Sequence, residues 1–181
     1  MNLRPALIAL IVSAALPVSA FAVGSQTDNT NPPAKTENTT KCKDGKVWDK
    51  NKKKCVNPKS ASLDDDTLYQ AAREMAYAKQ YENALKVLAA MKHQDEARVL
   101  NYKGYANRKA GRFEVGMNYY HQALAKDPNF ILARSYMGMA YAEQGNLKEA
   151  SQQLVEIRNR GGANTWAYEA LKESIDHKVS Y

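Results

Sequence analysis

Cysteine is scarce in this 181-residue chain, which holds two. That excludes a disulfide-dense scaffold and a Cys-rich zinc site. Histidine is almost as rare. His93, His121 and His177 stand apart, with no second ligand at metal spacing. A Gly-rich phosphate loop and a nucleophile elbow are both missing. Asp64-Asp65-Asp66 lacks the downstream Gly and Glu of a calcium loop, and acids ahead of a helix suit its dipole. No catalytic, metal-binding or cofactor-binding residue is therefore assigned, and a non-enzymatic binding protein is expected. Acidic charge is the minority sign, with 19 Asp and Glu against 26 Lys and Arg and a formal net charge of +7. Apolar residues make up 44% of the chain, which excludes a wholly disordered polypeptide.

Long apolar runs are missing after the first residues. The opening MNLRPALIALIVSAALPVSAFAVG has a positive start at Arg4, an apolar stretch from Ala6 to Leu16, and the small-x-small pattern Ala20-Phe21-Ala22. This is the layout of a signal peptide cleaved after Ala22. The run is shorter than the ~20 apolar residues that span a bilayer. No Cys follows the cleavage site, so a lipid anchor is not expected. The mature chain is expected to be exported and to lack an integral membrane segment. The periplasm is the first expectation and secretion the alternative, and neither favours a nucleic-acid partner.

Residues 23–40 are polar, with adjacent prolines and no apolar period, and predict a flexible spacer. The next stretch, 41–60, contains both cysteines. In an oxidising compartment Cys42 and Cys55 should pair with each other. The loop they close is short, and bridging it stabilises by ~3 kcal/mol in the chain-entropy model. Asp44-Gly45 and Asp49-Lys50-Asn51 are turn signals on either side of Val47-Trp48. A stapled turn or small hairpin is expected, with Trp48 on the disulfide. The layout resembles one-disulfide segments ahead of helical domains in exported bacterial proteins. It also resembles one piece of cysteine-rich carbohydrate-binding modules.

From about Leu63 the pattern is helical. Leu68, Ala71, Ala72 and Met75 share one face, as do Ala84, Val87, Leu88 and Met91 one helix later. The chain then repeats itself. Gly104 and Gly138, Gly111 and Gly145, Phe113 and Leu147, and Gly116 and Ala150 are each 34 residues apart. An earlier copy lies 32 residues upstream, with Ala72, Tyr81 and Ala84 for Gly104, Phe113 and Gly116.

This period and these positions resemble the tetratricopeptide repeat, in which each unit is two antiparallel helices. The second copy carries the likeness best, through Gly104, Gly111, Phe113, Tyr120, Ala123 and Pro128. Lys103 and Asn107 depart from the usual apolar residues there. The resemblance implies an all-α fold, an α-solenoid of three repeats over about 65–96, 97–130 and 131–164. A capping helix at 165–177 completes the 61–181 domain, with Trp166, Ala167, Ala170, Leu171 and Ser174 at helical spacing and Asn164 or Thr165 as N-cap.

The resemblance further implies a concave groove, lined by the first helix of each unit, for a protein or peptide partner. Carried over by position, it presents Tyr69, Arg73 and Tyr77, then Asn101, Tyr105 and Arg108, then Ser135, Met139 and Ala142. Tyr and Arg are enriched at binding hot spots. The carboxylate clamp of some relatives is not carried over, because its positions hold Tyr69 and Arg73.

The basic charge sits elsewhere. Residues 41–60 hold eight lysines, Lys41, Lys43, Lys46, Lys50, Lys52, Lys53, Lys54 and Lys59, against two aspartates, while 61–181 are nearly neutral. Two functions are thus expected in order: a protein-binding adaptor of the cell envelope acting through the groove, or a protein that binds an anionic or polysaccharide surface through the Cys42–Cys55 loop.

Overall fold

The structure is a computed structural model and describes residues 31–177. The expected signal peptide, and the spacer up to residue 30, lie outside the described residues. Among the described residues, no helix is long and apolar enough to cross a membrane.

The first described element is the short helix α1 (Glu37–Thr40), followed by a two-stranded hairpin of β1 (Val47–Asp49) and β2 (Lys54–Val56). The strands are antiparallel and pair Val47 with Val56, Trp48 with Cys55 and Asp49 with Lys54. Cys42 and Cys55 form a disulfide that closes the hairpin onto the preceding turn. Asp44 and Gly45 both adopt positive φ at that turn, the conformation that short polar residues and glycine tolerate best. Val47 anchors the hairpin and is fully buried in the central core. Trp48 lies opposite Cys55, half-buried, with the Lys41 ammonium 4.9 Å over its ring.

Seven helices follow: α2 (Asp65–Tyr77), α3 (Tyr81–Leu88), α4 (Ala97–Lys109), α5 (Phe113–Lys126), α6 (Ile131–Glu143), α7 (Leu147–Asn159) and α8 (Trp166–His177). They pack as the pairs α2/α3, α4/α5 and α6/α7, with α8 against α6 and α7. The fold is an α-solenoid of three helix-turn-helix repeats closed by a capping helix.

The repeated residues earn their positions by contact. A Cβ on Gly104 would lie 2.7 Å from the Tyr120 ring, and one on Gly116 would lie 2.9 Å from the Gly104 carbonyl. Bare backbone at both sites lets α4 and α5 approach closely. Gly111 and Gly145 have φ of 84° and 78°, the left-handed conformation that ends α4 and α6. The corresponding position in the first repeat is Lys79, which takes φ of 63° without glycine's freedom.

The departures also find partners. Lys103 donates to Gln94 Oε1 at 2.6 Å and lies over the Tyr119 ring. Gln94 in turn donates to the carbonyls of Leu88 and Met91, capping the short α3. Asn107 donates to the Lys103 carbonyl and accepts from Arg112 Nε. Of the three aspartates, the first caps α2 and the other two hold later segments. Asp64 accepts from the Thr67 amide at 2.8 Å, Asp65 from the amides of Lys92 and His93, and Asp66 pairs with Arg98.

The hairpin is not a free appendage. Both α1 and β1 pack on α2, where a preceding repeat would otherwise stack. At the end of the expected spacer, Thr36, Asn38 and Thr39 donate to Glu74 of α2.

Candidate functional site

The inner face is built by α2, α4 and α6, the first helix of each repeat. Side chains of successive inner helices meet across the seam between repeats. Tyrosines dominate this seam. Tyr69 packs edge-on to Tyr102 at 5.6 Å, Tyr77 stacks on Tyr105 at 5.6 Å, and Tyr105 meets Tyr136 at 4.9 Å. Their hydroxyls join: Tyr77 Oη and Tyr136 Oη are 2.5 Å apart, and Arg73 Nε donates to Tyr102 Oη at 3.0 Å. Burial pushes the phenol of Tyr77 above its ordinary value and pushes Tyr120 up to about 12, so the layer stays neutral at physiological pH.

The expected groove residues stand on α2, α4 and α6, and most are buried. Tyr69, Arg73, Asn101, Tyr105, Arg108, Ser135, Met139 and Ala142 are buried, and Tyr77 is half-buried at the rim. Two are occupied by packing. Ser135 Oγ donates to the Ala167 carbonyl at 2.6 Å, tying α6 to the capping helix. Arg108 Nη1 sits 2.5 Å from Glu143 Oε2, which balances its charge. Asn101 differs from both. Its side chain is fully buried, and neither Nδ2 nor Oδ1 has a hydrogen-bond partner.

Three residues of this face escaped sequence reasoning. Tyr102 and Tyr136 were legible in principle, since two tyrosines recur 34 residues apart. Glu74 was not, because its partners lie 35 to 38 residues upstream. It is buried, and it accepts from the Thr36 amide at 2.7 Å, the Thr36 hydroxyl at 2.5 Å and the Thr39 hydroxyl. Burial raises its pKa, but these hydrogen bonds outweigh burial and hold the carboxyl below its usual 4.5.

The eight lysines of the hairpin region are all exposed. Lys52 donates to Ser62 Oγ, and the neighbouring Lys86 of α3 donates to the Asp44 carbonyl, which pins the hairpin turn to the first repeat. Among the described residues, no group of three His, Cys, Asp or Glu side chains is placed to hold a metal ion. His93 bonds Asp65, and His121 and His177 are exposed.

An inner face of three stacked first helices, closed at both ends, defines a helical-repeat scaffold of the kind that presents a binding surface. The sequence profile of the tetratricopeptide repeat matches residues 108–175, from the end of α4 through most of α8. The match supports reading the chain as a tetratricopeptide-repeat protein, a class whose repeats generally mediate protein–protein interaction. It does not reach the first repeat or the hairpin. No curated protein and no solved structure gives a significant match to the chain.

Proposed function

We propose that this protein is a non-enzymatic adaptor of the bacterial cell envelope that holds a polypeptide segment against the inner face of its repeats. The observation that carries this reading is Asn101. Burying an amide without a partner costs roughly 1–3 kcal/mol, and an apolar residue of similar size removes that cost. Asn101 carries an NH2 donor group and a carbonyl acceptor, the groups that a peptide main chain answers, and a bound segment reaches them when the side chains covering Asn101 move aside. The tyrosine layer around it supplies large, stiff contact area with hydroxyls at its edge. Export rests on the N-terminal sequence pattern, and the Cys42–Cys55 bridge suits the oxidising compartment that export implies.

The test is Asn101→Leu in the mature chain. Stability to denaturant should rise by about 1–3 kcal/mol. Capture of partner proteins from native envelope extract should fall at least tenfold. A stabilised variant that captures the same proteins at the same level overturns the reading.

A second reading is favoured by one arrangement: eight exposed lysines on a hairpin that is fixed to the solenoid rather than tethered to it. Such an array suits an anionic glycopolymer or lipid surface, and the attraction should weaken as salt screens it. Replacing Lys50, Lys52, Lys53 and Lys54 by Gln should abolish sedimentation with anionic vesicles at low salt. Unchanged sedimentation removes this reading and leaves the adaptor reading intact.

A further inference from the structure

Glu74 occupies a position where the other repeats carry alanine. The equivalent residues are Ala106 and Ala140, both fully buried on α4 and α6. A buried carboxylate in place of a methyl group is costly unless donors meet it. Here they come from outside the repeats: the Thr36 amide, the Thr36 and Thr39 hydroxyls and, at 3.5 Å, the Asn38 side-chain amide. One residue earlier on α2, Arg73 donates from Nη2 to the Asn31 carbonyl while its Nε holds Tyr102 of the inner face. Two adjacent side chains of the first repeat thus hold one segment, Arg73 at its extended start and Glu74 at the first turn of α1. Arg73 takes a main-chain carbonyl, and Glu74 takes a main-chain N–H with its hydroxyls.

The strap that supplies these groups is attached by polar contacts, to Glu74 and Arg73 and through the Trp48 amide, which donates to Asn38 Oδ1 at 2.9 Å. α1 buries no residue, and Asn31 and Thr36 are exposed even though their polar atoms are engaged. No strap residue belongs to either core cluster. Pro32 and Pro33 restrict the backbone beside Asn31 to extended conformations, so little entropy is lost when the strap lies down. A segment that only closed the end of the solenoid would be expected to bury apolar side chains there, as Val47 of the hairpin does.

We propose that Arg73 and Glu74 form a receptor for a hydroxyl-bearing polypeptide segment that runs extended into a helical turn, and that the strap Asn31–Thr40 is its resident ligand in cis, which a partner segment of the same chemistry displaces. This deepens the adaptor reading by naming what one end of the inner face recognises. The strap lowers the apparent affinity for any incoming segment by the fraction of time the receptor stands open.

The experiment compares three mature chains for binding of a labelled synthetic peptide spanning residues 31–40, alongside hydrogen exchange of the strap amides. In Thr36→Val with Thr39→Val, the strap loses two donors while the receptor stays intact. Strap exchange should rise at least tenfold, and the peptide should bind roughly 5- to 10-fold more tightly than to the parent chain. Glu74→Ala restores the residue that the other repeats carry, so it keeps the fold without leaving an unmet charge. Its strap exchange should rise equally, but the peptide should not bind. Opposite effects of two changes that both free the strap mark a receptor with a displaceable ligand. Equal peptide binding to all three chains, no binding to any, or unchanged strap exchange in the valine variant overturns the proposal. Capture of envelope proteins that is the same in Glu74→Ala as in the parent, with no peptide bound by any of the three chains, overturns this proposal and leaves the adaptor reading intact.

Discussion

At its C-terminal end the solenoid is closed by α8, which buries Ala167, Ala170 and Leu171 against α6 and α7. The Leu171 methyls fill the space that a side chain on Gly138 would need, 2.7 Å from its would-be Cβ. At the N-terminal end the closure is a disulfide hairpin with a single strand residue in the central core, Val47, and a strap held by polar contacts to Glu74 and Arg73. One end is thus sealed by apolar packing and the other by a covalent bond and hydrogen bonds. Apolar packing responds little to redox state or acidity, whereas a disulfide responds to the first and a carboxylate to the second. The N-terminal end is therefore the adjustable one, and it borders the residues of the proposed receptor.

The sharpest break in this contrast is expected from Leu171→Ala. Deleting a fully buried leucine should cost about 2–5 kcal/mol and lower the whole unfolding transition, measured by denaturant titration. If only α8 frays while the rest of the transition stays put, the capping helix is not integral to the solenoid. Replacing Cys42 and Cys55 by Ser should cost up to ~3 kcal/mol on the chain-entropy scale. The loss should appear in hydrogen exchange of 36–60, with α4 to α8 protected as before. A uniform loss of protection would erase the distinction between the two ends.

Lys79→Gly should go the other way. Releasing a left-handed lysine at the end of α2 should stabilise the first repeat by about 1 kcal/mol, and a denaturant titration reads the gain directly. Acidification gives the smallest effect. The Glu74 carboxyl is held below its usual 4.5 while latched, so the strap gains stability above that value and loses it as pH falls through the lowered one. Strap protection should therefore fade under acid conditions that leave the α8 end unchanged. Equal fading at both ends would point to global acid unfolding instead.

Much of the fold is legible without coordinates, because local chemistry writes it. The 34-residue recurrence of glycine marks where helices touch and where they end, and Gly104, Gly116, Gly111 and Gly145 perform those tasks. The cysteine pairing follows from there being only two. The candidate face is legible as a set of positions, since inner-helix residues follow the repeat. Its state is not. Whether Tyr105 or Met139 is open or buried depends on what lies over it, and whether Ser135 is free depends on where the Ala167 carbonyl arrives.

The same division applies to the whole protein. Periodicity, the glycine register and the short cysteine loop determined by themselves that the chain forms paired helices with a stapled segment ahead of them. They also placed the basic charge on that segment. These are properties of neighbours in the chain, set by backbone conformation and side-chain spacing. Only the tertiary structure decided that the hairpin seats Val47 in the core and that Asn101 is left without a partner. It alone joined Thr36 and Thr39 to Glu74 across more than thirty residues. A buried carboxylate or amide is defined by the donors and acceptors that folding brings to it, and no spacing along the chain encodes those.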